Sequence, residues 1–152
     1  MEIVNLHSPA LEFEAIHRIV TDVDTKALMS EMTAALELSE EKSEQAIGVC
    51  DNGEEKTLYI HKPTSKLTVG SLQNFIDSYI KEKGGKVDYI HGAEVIRELS
   101  AKENSIGFML PDMGKEELFP TVIVDGALPR KTFSMGHAED KRFYVEARKI
   151  LK

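Results

Sequence analysis

Apolar positions recur with two different periods along this chain, and the periods divide it into elements. Residues 68–85, TVGSLQNFIDSYIKEKGG, carry the plainest helical period, with Val69, Leu72, Phe75, Ile76, Tyr79 and Ile80 on one stripe. Thr68 stands where a cap is expected, and Gly84-Gly85 ends the run. DTKALMSEMTAALEL, residues 24–38, predicts a second helix with Asp24 as its N-cap and Leu28, Met32, Ala35 and Leu36 facing inward. AEVIRELSAKE, residues 93–103, predicts a shorter helix bearing Val95, Ile96 and Leu99. Strand-like runs lie between them. EIVNLH and FEAIHRIV flank a turn at Ser8-Pro9, and AIGVC and KTLYIHK flank DNGEE, where Asn52-Gly53 is a hairpin signal. KVDYIH and SIGFMLP complete the strands, the latter closed by Pro111. SEEKSEQ reads as an acidic loop, and GKEELFPTVIVDG as a helical turn followed by a short strand. In the last segment, AEDKRFYVEARKIL, Phe143, Ala147, Ile150 and Leu151 fall at i, i+4, i+7 and i+8. That spacing favours a helix over the strand that RFYV also suits, with Glu139 and Asp140 in its first turn, where the dipole favours acids.

Strands and helices that interleave irregularly, with a hairpin among them, predict an α+β fold: a mixed or mainly antiparallel sheet packed with three to four helices. The length of 152 residues suits a single domain spanning 1–152, long enough to bury a core without disulfides or metal. At 41% apolar and 30% charged, the composition is that of a globular chain and not of a disordered one. Cys50 is the one cysteine, so no internal disulfide forms; its apolar setting, QAIGVC, marks a buried strand residue. No stretch approaches the roughly 18 apolar residues of a membrane span, and the N-terminus lacks a basic region followed by an apolar one. A cytoplasmic location is the expectation.

Charge changes the picture more. The net charge of −7 argues against nucleic acid as a partner, since no global basic field gathers phosphates. From Ala127 onward, however, Arg130, Lys131, Lys141, Arg142, Arg148, Lys149 and Lys152 outnumber Glu139, Asp140 and Glu146, a local +4 that leaves −11 for the rest. This basic segment contains LPRKTFSMGHAEDKRFY. If a helix starts near Ala138, RKTFSMGH feeds its N-terminus, where unpaired N–H groups and a partial positive charge favour an anion. Gly136 permits close backbone approach, Thr132 and Ser134 offer hydroxyls, and Arg130 offers a planar fork for a phosphate or carboxylate. Lys131, His137, Lys141 and Arg142 add to the set. The pattern is not a P-loop, and the plainer alternative is a capped helix whose cations face water or pair with the acidic body.

The five histidines, His7, His17, His61, His91 and His137, form no ligand spacing with one another or with a cysteine pair, so no metal site is expected. His17 and His91 end or interrupt strand-like runs, and are the candidate acid–base groups should they meet the basic loop in space. The plainer reading of each is a hydrogen-bonded or surface imidazole. Asp88 is the acid placed to orient an imidazole; Glu40, Glu41 and Glu44 read as a solvated loop, and Met29 and Met32 as core. Ser134 lacks a nucleophile-elbow context and no dinucleotide fingerprint is present, so no reaction and no cofactor is named.

EIVNLHSPALEFEAIHRIV, VDYIHG and LPRKTFSMGHAEDKRFYVEARKI together resemble the uncharacterised bacterial and archaeal family known as domain of unknown function 1015. The resemblance runs nearly the full length and implies the C-terminal domain of a longer protein. The family's upstream half carries an Asp-Gly-Asn-His or Asp-Gly-His-His motif, similar to the phosphate-handling motif of ParB-like proteins, and no such motif occurs here. By resemblance, His17-Arg18, Tyr89 with His91-Gly92, and Pro129 to Gly136 fall on family motifs, which adds Arg18 to the candidate ligand-binding residues. The expected partners are then a small anionic ligand and the N-terminal half of the same protein. The competing expectation is a structural or dimerisation domain in which the basic segment docks on the acidic body or on a second copy.

Overall fold

In the computed structural model, which describes residues 5–9 and 11–135, the hairpin signal at Asn52-Gly53 joins two seven-residue strands and anchors the sheet. Asn52 and Gly53 take φ of 49° and 82°, the left-handed pair that a tight two-residue turn needs. In chain order the elements are β1 (Phe13–Thr21), α1 (Thr25–Leu36), β2 (Leu38–Ser39), β3 (Gln45–Asp51), β4 (Glu54–Ile60), α2 (Thr68–Lys83), β5 (Lys86–His91), α3 (Ala93–Ser100), β6 (Ser105–Met109), α4 (Leu118–Asp125) and β7 (Phe133–Met135). The sheet runs β2-β4-β3-β6-β1-β5, with β7 pairing the first half of β1, and every pairing is antiparallel. The fold is α+β, with four helices and seven strands among the described residues.

One face of the sheet carries the main core. Leu28, Met32 and Leu36 of α1 and Leu72 and Ile76 of α2 pack with Ile47, Ile60, Ile106 and Phe108 from the strands. The opposite face is covered by α3, whose Ile96 meets Ile19 and Cys50. Gly107 makes that approach possible: a Cβ there would lie 2.5 Å from the Ile96 Cγ2. Alternation along β1 breaks midway. Phe13 and Ala15 join the main core, and so does Val20, which a strict two-residue period would send to the other face.

Several expectations need correction. Asn5 to His7 form a turn and not a strand. Asp24 caps α1 as expected, its carboxylate accepting from the Lys26 and Ala27 N–H groups, but Ala35 is exposed. Thr68 is the first helical residue of α2 and not its cap; Leu67 holds the cap position with no side-chain bond. Val95 is exposed on α3. Residues 118–125 are a helix where a strand was expected. Glu117 accepts from the Gly114 N–H at 2.7 Å, starting a 3-10 turn at Lys115–Glu117 that α4 continues. Pro120 then falls in the first turn, where a missing N–H costs little, whereas a strand would lose a ladder bond. The expected helix at 138–151 lies outside the described residues.

Candidate functional site

The centre of β1 places Arg18 opposite Tyr89 of β5 on one side and Phe108 of β6 on the other. Its side chain is fully buried. The guanidinium donates to the Gln73 Oε1 on α2 at 3.1 Å, to the Ile16 carbonyl, and to the Arg130 carbonyl at 2.9 Å. All three acceptors are neutral oxygens. Burial pulls the Arg18 guanidinium down to about 10, opposed by Tyr89 and Asp77 and aided by the neighbouring Arg130 cation. The group stays protonated at neutral pH and is a buried positive charge.

Arg130 closes the arrangement from the outside. Its Nη2 donates to the Asp77 Oδ1 at 2.7 Å, and the same oxygen accepts from the Gln73 Nε2 at 2.8 Å. Gln73 thus joins the two arginines, its oxygen on Arg18 and its nitrogen on the carboxylate that holds Arg130. Both guanidinium carbons also lie over the Tyr89 ring, at 5.1 Å for Arg18 and 5.9 Å for Arg130. The Tyr89 hydroxyl is buried beside Arg130 without a well-formed hydrogen bond among the described residues. Tyr89 and Asp77 hold the Arg130 pKa above its ordinary value. A separate cleft of about 350 Å³ lies on the α3 face of the sheet, lined by Ile19, Asp88, Tyr89, Ile90, Leu99 and Lys102 and not by either arginine.

A second group adjoins this one. His91, two residues beyond Tyr89, meets the Glu14 carboxylate through its Nε2. The β1–β7 register sets Ser134 opposite Glu14, so β7 brings the basic loop's serine to the same strand pair. The carboxylate that holds His91 is therefore Glu14 and not Asp88. His17 does not join either group: its Nδ1 accepts the Leu110 N–H at 3.1 Å. Burial lowers its pKa, with Arg18, His91 and Arg97 adding to the effect and Asp112 opposing it. It is a neutral imidazole that ties β1 to the end of β6.

Of the expected ligand residues, Arg18 and Arg130 are brought together on Tyr89, while Ser134 lies opposite Glu14 on the β1–β7 pair. Thr132 is buried, and its hydroxyl donates to the Pro129 carbonyl, so it shapes the turn instead of presenting itself. Lys131 is exposed beside it with a left-handed φ of 54°. Gly136, His137 and Arg142 lie outside the described residues. Gln73, Asp77 and Glu14 were not anticipated. A signal existed for Gln73, which occupies the i+4 place in the Val69, Leu72, Ile76 stripe, a polar residue where an apolar one belongs. Among the described residues no group of three or more His, Cys, Asp or Glu is placed to hold a metal, and no helix is long and apolar enough to cross a membrane.

No protein-family model matches the chain, and no curated protein matches it in sequence. Solved structures match in fold. A conserved hypothetical protein from Pyrococcus furiosus superposes with a TM-score of 0.68 at 14% identity, over 90% of this chain and 61% of that one. A free serine kinase mutant in complex with ADP gives 0.66 at 17% identity, over 89% and 58%. SbnI from Staphylococcus aureus, with a C-terminal truncation, gives 0.59 at 12% identity, over 87% and 53%. The chain therefore spans between about half and three-fifths of the length of these neighbours. At such identities the likeness is one of fold.

Proposed function

We propose that this chain is a domain that binds a small anionic ligand, of the phosphorylated or nucleotide-like class, for an enzyme whose reacting groups lie on another stretch of chain. The observation that carries the reading is Arg18: a fully buried guanidinium whose hydrogen bonds end on neutral oxygens, with a second guanidinium stacked on the same ring. Burying a cation whose own hydrogen-bond acceptors are all neutral is costly; the nearby Asp77 carboxylate offsets part of that cost, and an arriving anion offsets more. Arg130 meets the ligand, Arg18 supplies the field behind it, and His91 and Ser134 stand at its margin. Lys131, Gly136, His137 and Arg142 extend the site by sequence position alone. The ADP and AMP complexes of the kinase neighbour lend support from the fold. The test is thermal denaturation with phosphate, sulfate, AMP and ADP. At least one of them raises the Tm of the wild type, and Arg130→Ala removes the shift; no shift with any of the four refutes the reading.

A second reading, association with another copy, is favoured by one observation. Phe119, Ile123 and Val124 of α4 are 63%, 82% and 68% exposed, the most exposed large apolar residues among those described. Sedimentation that shows a dimer, converted to monomer by Ile123→Glu, supports it.

A further inference from the structure

The geometry points to Asp77 as an internal counter-anion that occupies the ligand position and sets the charge a ligand needs to displace it. This inference rests on the anion-binding reading above. The Asp77 Oδ1 is the single point at which the Arg130 guanidinium and the Gln73 amide both donate, at 2.7 and 2.8 Å. Two donors converging on one carboxylate oxygen is the geometry in which an oxygen of a phosphoryl group is held. The partners are reachable from solvent: the Arg130 and Asp77 side chains are 63% and 47% exposed, while Arg18 and Gln73 behind them are buried. A dissolved anion can therefore replace the carboxylate without unpacking the core.

Charge decides which anion succeeds. Asp77 offers one negative charge to two arginine cations. A ligand that also carries one charge exchanges like for like and gains little. A dianion faces both guanidinium groups once Asp77 turns outward, and its second charge is the gain. Asp77 thus lowers the affinity of every anion alike, so monoanions such as acetate fall below detectable binding while a phosphoryl dianion, through its second charge on the two arginines, stays above it. Because every ligand displaces the same carboxylate, removing its charge raises all anion affinities by one common factor. The Arg130–Asp77 pair is exposed, so that factor is modest, about 1.5- to 5-fold.

The test is calorimetric titration of phosphate, sulfate and acetate at pH 8 and constant ionic strength into wild type, Asp77→Asn and Arg130→Ala, with Asp77→Ala as a second variant free of any amide contact. In both Asp77 variants phosphate and sulfate bind tighter by the same factor, acetate moves toward detectable binding, and Arg130→Ala binds none. Phosphate binding in the Asp77 variants that is no tighter than wild type overturns the inference while leaving the anion site standing. Absence of binding in wild type and the Asp77 variants alike overturns both.

Discussion

Arg18 reaches Gln73 across the core face of the sheet, and the side chain has two separable jobs, filling space and carrying charge. Arg18→Met keeps most of the volume and deletes the charge. It leaves the Gln73 Oε1 and two carbonyls short of a donor, which costs about 1–3 kcal/mol. The expected variant is folded by denaturant titration and no longer gains Tm from phosphate; a variant that still responds assigns the anion effect to other residues. His17 gives a second residue-scale test. Its folded pKa is lowered by burial, so the unfolded chain takes up the proton first as pH falls. Stability conferred by neutral His17 is complete above the ordinary histidine range, and is lost as pH drops through it toward the lowered folded value. His17→Gln flattens the acid side of the Tm profile between about pH 7 and 5; an unchanged slope assigns the acid loss elsewhere. In the sequence Arg130 was singled out by its residue type in the basic segment, and Arg18 only through the family resemblance. The burial of Arg18 was not, because a charged residue in a strand reads as outward-facing. Asp77 was hidden for a related reason: it stands one turn beyond Gln73, where a lone carboxylate on a helix reads as solvent surface.

At the scale of elements, long periodic stretches were legible and short ones were not. The stripe of α2, the capped α1 and the Asn52-Gly53 hairpin all formed because local preference and tertiary packing agree. α4 did not follow its β-branched run, since the Gly114–Glu117 turn and Pro120 commit the backbone to a helical start before that run begins. β7 has three residues, too few for a period, and exists through its pairing with Phe13 to Ala15. The stacking of Phe133 on Phe13, with ring centroids 4.1 Å apart, fixes that pairing and with it the position of Ser134. Sheet and α3 are tied more tightly. Gly107→Ala drives a methyl into Ile96 and is expected to cost about 1–3 kcal/mol. Ile96→Ala, which removes the Cγ2 methyl, makes Gly107→Ala less costly in a double-mutant cycle; strict additivity of the two changes contradicts direct contact.

The whole molecule is an acidic sheet-and-helix domain in which a pair of arginines meets on one tyrosine, close to an edge strand. Net charge alone, at −7, gave no sign of this, because the positive field is local and assembled from β1, the segment before β7, and the donors of α2. In the proposed function it is this local field that draws a small anion, and the expected binding weakens with added salt, since the Debye length is about 10 Å at 0.1 M. The most direct measurement is a crystal structure of the chain grown in sulfate. The expected result is a sulfate bound to Arg130 and the Gln73 amide, with the Asp77 carboxylate turned away. An intact Arg130–Asp77 pair with no anion at Arg130 or Tyr89 would contradict it.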